Sequence, residues 1–298
     1  MEVCKLKGAL KHYIWGGTKL KEYGKITDKE TISESWELSF HDDGLTLVDG
    51  INRPLKELVN KEDLGTNLAN FNFFPVLVKL IDSKDNLSIQ VHPSDDYALA
   101  NENSLGKTEM WYIIEADKDC GIYVGFKNKE NQESLKQSIE DDSIIDKLNF
   151  YKVKPGDCFF IPSGTIHAIG NGITLIEIQQ NSNITYRLYD YKRKDKDGNY
   201  RQLHVDKALK VVDFKPYVNP SFKYPCIGKS KYFTVYQYDY KHNLIKADEK
   251  SFVCVTFIQG SGKINEFDFN KGDTFFIPAK KQSIINSNNC KYILTTIE

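Results

Sequence analysis

The chain has 298 residues, enough for one large or two modest domains. Its 40 Lys and Arg against 41 Asp and Glu leave a formal charge of -1, which gives no electrostatic basis for binding nucleic acid or an anionic membrane. The apolar runs fall far short of a bilayer span, the segment Met1–Lys7 carries no apolar signal region, and the six cysteines form no C-x-x-C pair, which argues against a membrane anchor, a zinc ribbon and a disulfide scaffold. A cytoplasmic protein is expected.

In chain order, Trp36 to Phe40 alternates large and polar residues and predicts a strand. Pro54 to Val59 reads as a short helix with proline near its first turn. Phe74 to Ile81 is nearly continuous apolar sequence, as a strand buried on both faces would be. Leu87 to Val91 is a further strand, and Ser94 to Glu102 a helix opened by a cap-like Ser94-Asp95-Asp96. Glu109 to Glu115 and Gly121 to Phe126 predict strands. Asn131 to Leu148 places Leu135, Ile139, Ile144, Ile145 and Leu148 at roughly helical spacing, interrupted at Asp141-Asp142-Ser143. Asp157 to Ile161 and Thr174 to Gln179 are strands, Lys192 to Gly198 a charged solvated loop, and Val205 to Val212 a short helix. Many short strands with frequent turns predict a mainly β fold, sandwich or barrel.

The chain repeats itself once. Lys154 to Pro162 (KPGDCFFIP) returns as Asn270 to Pro278 (NKGDTFFIP). Two copies of one β-barrel unit account for this, with a linker near Phe214 to Tyr224, where Pro216 and Pro220 interrupt regular structure and Pro225 follows. The expected division is 1–215 and 216–298. The second copy continues without a glycine or a histidine at the matching positions.

The first copy carries the chemistry. It runs Gly156 to Asn171 as G-x5-P-x-G-x2-H-x3-N, in which a Pro-x-Gly turn delivers His167 into the next strand. Upstream, Ser88, Gln90 and His92 share one strand face, and Lys107 and Glu109 share another. Two imidazoles, a carboxylate and an amide oxygen make an N2O2 donor set that suits zinc, and equally manganese, iron or cobalt. Taken singly, His92 or His167 reads as an ordinary hydrogen-bonded histidine and Glu109 as a solvated or paired charge. The joint pattern shifts the balance toward a metal site, a reading completed by the resemblance of these segments to a known family.

The Gly156–Asn171 run resembles the second motif of the cupin superfamily. Gln90–Pro93, Gly106–Tyr112, Pro162–Ala168 and Glu177–Arg187, with Tyr13–Leu20 and Glu34–Ser39, resemble the short bacterial form of the type I mannose-6-phosphate isomerase family nearly end to end. The resemblance implies two cupin-like jelly-roll domains, the first catalytic with short helical insertions and the second without metal ligands. It implies an aldose–ketose isomerase for mannose 6-phosphate and fructose 6-phosphate, a phosphorylated sugar as partner, one Zn2+ per chain, and a monomer or homodimer. Gln90, His92, Glu109 and His167 would be the metal ligands. Arg187, Lys107 and Glu177 would be catalytic, with Ser88, Lys107 and Arg187 candidates for the phosphate. Two features depart from the pattern. Asn183 stands where many relatives have Asp, and about 45 residues between the Glu109 strand and Gly156 leave no room for the helical insertion of longer members.

The implied chemistry moves a proton between C1 and C2 through a cis-enediol, with Glu177 or Lys107 as acid–base group and Arg187 beside the developing oxyanion. Another metallo-cupin enzyme is the rival reading, although such sites commonly carry a His-x-His pair where this chain has Gln90-x-His92. A non-catalytic sugar-binding protein of two cupin units is the other; Lys107, Glu177 and Arg187 together exceed what binding requires.

Overall fold

The computed structural model describes residues 1–195 and 197–298; Lys196, within the expected loop Lys192 to Gly198, lies outside the described residues. Among the described residues the strand ladders are antiparallel and form four sheets. A six-stranded sheet runs in the order Cys158–Ile161, Glu109–Ala116, Ile173–Gln180, Val76–Ser83, Glu34–Leu38, Ala9–Lys11. A five-stranded sheet has the order Leu148–Lys152, Gly121–Phe126, His167–Ile169, Ile89–Val91, Tyr186–Tyr189. These two face each other over Ile81, Trp111, Ile113, Ile122, Val124 and Leu175. The C-terminal part repeats the plan with an eight-stranded sheet facing a four-stranded one, packed over Val255, Phe275, Phe269 and Ile285. The sheets remain open, so each unit is a pair of facing sheets and not a closed ladder.

The two units join through the backs of their larger sheets. Val76, Val78, Leu80, Ile176 and Ile178 of the six-stranded sheet pack against Leu6, Phe233, Val235, Cys254 and Phe276 of the eight-stranded one. This explains the apolar run ending at Ile81. Every residue of Val76–Ser83 is buried, one face toward the first interior and the other toward the second unit. Fully burying each such aliphatic side chain contributes about 1.5–3 kcal/mol.

The outer face of the five-stranded sheet is covered by the helices Gln132–Glu140, Ile144–Lys147 and Val205–Leu209, which bring Leu135, Ile144, Ala208 and Leu209 onto Ile89, Val91, Ala168 and Leu188. The Asp141–Ser143 interruption falls where expected. Asn131 caps the first of these helices, accepting the Ser134 N–H at 2.8 Å. Sheet membership crosses the expected division at 215/216. Cys4–Lys7 and Leu47–Val48 extend the eight-stranded C-terminal sheet, with Cys4 opposite Phe276 and Leu6 opposite Val48.

Candidate active site and metal centre

Two rows of cross-strand neighbours build the site. Across the six-stranded sheet, Phe159, Trp111, Glu177, Lys79 and Trp36 stand side by side on successive strands. Across the five-stranded sheet the row is Val124, His167, Gln90 and Arg187. Register alone therefore brings residues far apart in sequence onto opposing interior walls. His92 follows Gln90 by two residues, and Glu109 precedes Trp111 by two, so both stay on the inward faces.

His92, Glu109 and His167 converge, with one ligand atom from each lying within 4.8 Å of the others, and all three are buried. Each imidazole uses Nδ1 on a backbone carbonyl: His92 on Ile184 at 2.7 Å, His167 on Thr165 at 2.9 Å. Both Nε2 atoms then point inward, 3.5 and 3.3 Å from the Glu109 carboxylate. The Gln90 amide reaches to 3.4 Å of His167 Nε2. Burial, with the charges of Lys107 and His167 added, pulls the His92 pKa far below its usual value. Burial likewise pulls His167 down to about 4, against the opposing effect of the Thr165 carbonyl. Both are neutral, lone-pair donors at neutral pH. Glu109 Oε2 lies 3.0 Å from Lys107 Nζ, whereas Oε1 faces His167 Nε2 at 3.3 Å and has no hydrogen-bond partner among the described residues, a costly state for a buried carboxylate oxygen that a metal ion at this point would relieve. The donor set fits a metal ion.

Beside this cluster lies a buried charge chain. Lys107 Nζ is 3.1 Å from His92 Nε2, 3.0 Å from Glu109 and 4.0 Å from Glu177. Glu177 accepts from Trp111 Nε1 at 2.8 Å and lies 3.2 Å from Lys79 Nζ, which reaches on to Glu34 at 3.6 Å. Burial and the charge of Glu177 raise the Glu109 pKa, against the pull of Lys107. For Glu177, burial pushes up, but Lys107, Lys79 and the Trp111 N–H outweigh it and hold the carboxylate ionised. A cavity of about 380 Å³ opens over this chain, lined by Lys79, Lys107, Glu177, Ser88, Gln90 and Arg187 among others.

Every site residue expected from sequence lies at this cavity or in the cluster beside it. Ser88 and Arg187 meet at its rim, Arg187 Nε donating to Ser88 Oγ at 3.2 Å and Nη1 to the Gln202 carbonyl at 2.8 Å. Sequence reading missed Lys79 and Glu34. The available signal was a lone lysine in an otherwise apolar run, since a lysine there needs buried carboxylates to stay charged. Trp15 lines the cavity, whereas Trp36 is core, its Nε1 donating to Glu34 at 2.6 Å.

Facing antiparallel sheets that gather two neutral imidazoles, a carboxylate and an amide at one interior point define a cupin with a candidate metal centre. Residues 3–119 match the family model for the phosphomannose isomerase type I catalytic domain, and residues 226–297 that for the mannose-6-phosphate isomerase cupin domain. The chain is 36% identical over 289 residues to the mannose-6-phosphate isomerase ManA of Bacillus subtilis, spanning 91% of each. It superposes on the solved Bacillus subtilis mannose 6-phosphate isomerase with a TM-score of 0.86 at 33% identity, covering 99% of both chains. A solved mannose 6-phosphate isomerase with zinc bound shares the fold at 16% identity, with a TM-score of 0.80 over 100% of both chains. The chain belongs to the type I phosphomannose isomerase family.

Proposed function

We propose that the chain interconverts mannose 6-phosphate and fructose 6-phosphate at this cavity, with one zinc ion held by Gln90, His92, Glu109 and His167. The observation that carries the reading is a buried Glu177 flanked by Lys79 and Lys107 at a cavity beside which His92, His167 and Glu109 converge. When bound, the metal supplies a Lewis acid beside the sugar oxygens. Glu177 takes the C2 proton of the open-chain aldose and returns it to C1; Lys79 Nζ, 3.2 Å from its Oε1, helps hold the carboxylate in the charged form that can accept the proton. Lys107 holds its ammonium next to Glu177 and steadies the enediolate. Arg187, at the rim with Ser88, offers its guanidinium to the phosphate or to the developing oxyanion. Residues 216–298 contribute none of these groups. A cytoplasmic location is supported by six free cysteines and by the absence, among the described residues, of a helix long and apolar enough to cross a membrane.

The test is isomerisation of mannose 6-phosphate by purified protein before and after chelation, with zinc added back. Activity should vanish with the chelator and return with zinc. A protein that is inactive while holding stoichiometric metal sinks the substrate assignment.

A further inference from the structure

The segment that carries Lys107 has no ladder of its own. Between the helix Asp95–Glu102 and the strand Glu109–Ala116 the backbone is irregular. Lys107 must nevertheless hold its ammonium against His92 and Glu109. Asp95 fixes the segment. Its Oδ1 accepts the Gly106 N–H at 2.9 Å and the Gln180 side-chain amide at 2.7 Å. Gln180 turns its Oε1 onto the Thr108 N–H at 2.8 Å. One carboxylate–amide couple thus holds the amides on both sides of Lys107, whose own N–H goes to the Pro93 carbonyl at 3.0 Å. Gly106 lies flat against the helix start, since a β-carbon there would come within 2.5 Å of Asp95 N.

The other oxygen of Asp95 is engaged from the C-terminal unit. Tyr232 donates its hydroxyl to Oδ2, and Lys231 Nζ lies 3.5 Å away. Both residues sit in the turn between the strands Cys226–Lys229 and Thr234–Asp239. A carboxylate in a helix's first turn is favourable in any case, but that role would not require Gly106, Gln180 and Tyr232 to converge on it. We propose that Asp95 is a positioning residue for the isomerisation. Through Gly106 and Gln180 it aims Lys107, and through Tyr232 that aim depends on the C-terminal unit. Its kinetic part rests on the function proposed above.

A misplacement of about 1 Å in a catalytic group costs on the order of a hundredfold. The variant D95A is expected to lower kcat by about tenfold or more, with the KM for mannose 6-phosphate within about twofold. D95N keeps an oxygen for Gly106 and Gln180 and recovers most of that loss; Y232F, which leaves Asp95 in place, loses a fewfold. In a Lys107→Met background, D95A costs nothing further, because both act through one group. Amide hydrogen exchange of 105–109 should be faster in D95A than in wild type. Unchanged exchange overturns the pinning. Faster exchange with unchanged kcat, equal losses in D95A and D95N, or losses that add to that of Lys107→Met overturn the positioning role. If wild type does not isomerise mannose 6-phosphate, the functional reading and the kinetic role fall together, while hydrogen exchange still decides the pinning.

Discussion

Lys79 is a cation inside a strand whose every residue is buried. Burial pulls its ammonium pKa down, but Glu34, Glu177 and Glu109 outweigh that and hold it above the usual lysine value. Replacing it with a shape-matched apolar group leaves two buried carboxylates facing each other without their counter-ion. Lys79→Met should cost about 3 kcal/mol of stability and lower kcat, because a Glu177 that has lost this partner resists ionising. Thermal melting together with a kcat–pH profile checks it. The profile's acidic limb should move to higher pH, and an unmoved limb would remove Lys79 from the Glu177 network. At this scale the sequence was most legible where a motif fixed spacing. His92, Glu109 and His167 lie together, with the Gln90 amide 3.4 Å from His167, on the faces that strand alternation and the Pro-x-Gly turn predict. Glu34 and Lys79 escaped because their partners are set by register between strands, which no single segment carries.

The repeated turn shows what an element preserves when its chemistry is lost. In each copy Asp157 or Asp273 closes the turn by accepting the backbone N–H of Lys154 or Asn270, at 2.9 and 2.8 Å. Gly156 and Gly272 share φ 96°. After the proline, Gly164 has φ 89° and its counterpart Lys280 has φ 65°, so the second turn keeps the left-handed shape without the residue that favours it. The position of His167 is taken by Ser283, which accepts from Asn265 at 3.2 Å. Lys280→Gly should therefore stabilise the protein by about 0.5–1 kcal/mol. Differential scanning calorimetry would register this as a rise in Tm of about 1–4 °C, and a fall would mean that the lysine side chain does more than tolerate the turn. The echo was visible in sequence because a tight turn is dictated locally by Gly and Asp. The linker was visible as a break, but not its use. Asn219 accepts the Phe160 N–H at 3.0 Å and donates to the Cys158 carbonyl at 2.9 Å, which occupies the open edge of the six-stranded sheet where another strand would otherwise add.

Across the whole molecule, the interior of the second unit is filled where the first is open. Phe257 and Phe269 stack at 3.6 Å between ring centres, with Tyr292 at 5.7 Å from Phe257. The second unit meets the first through the apolar interface behind the site and through the Tyr232 hydroxyl, which donates to Asp95. The mainly β class was legible from strand density and turns. The stacking of the units was not, because nothing in the local sequence says that the second face of Val76–Ser83 meets Phe233 and Phe276. Fragments 1–215 and 216–298, expressed separately, should each fail to unfold cooperatively, since each exposes half of that interface and the second lacks the Cys4–Lys7 strand. Circular dichroism melts would decide it, and a cooperative transition in fragment 216–298 would show that the borrowed strand is dispensable.

That borrowed strand also sets a timetable. On the ribosome Cys4–Lys7 emerges about 270 residues ahead of its neighbour Thr274–Ile277. The first unit gathers its site residues from strands made in between and has them all once Arg187 has emerged. The second sheet must wait for its later strands, and through that interval the apolar back of the first unit stands uncovered, the period in which a nascent chain most needs protection from its neighbours.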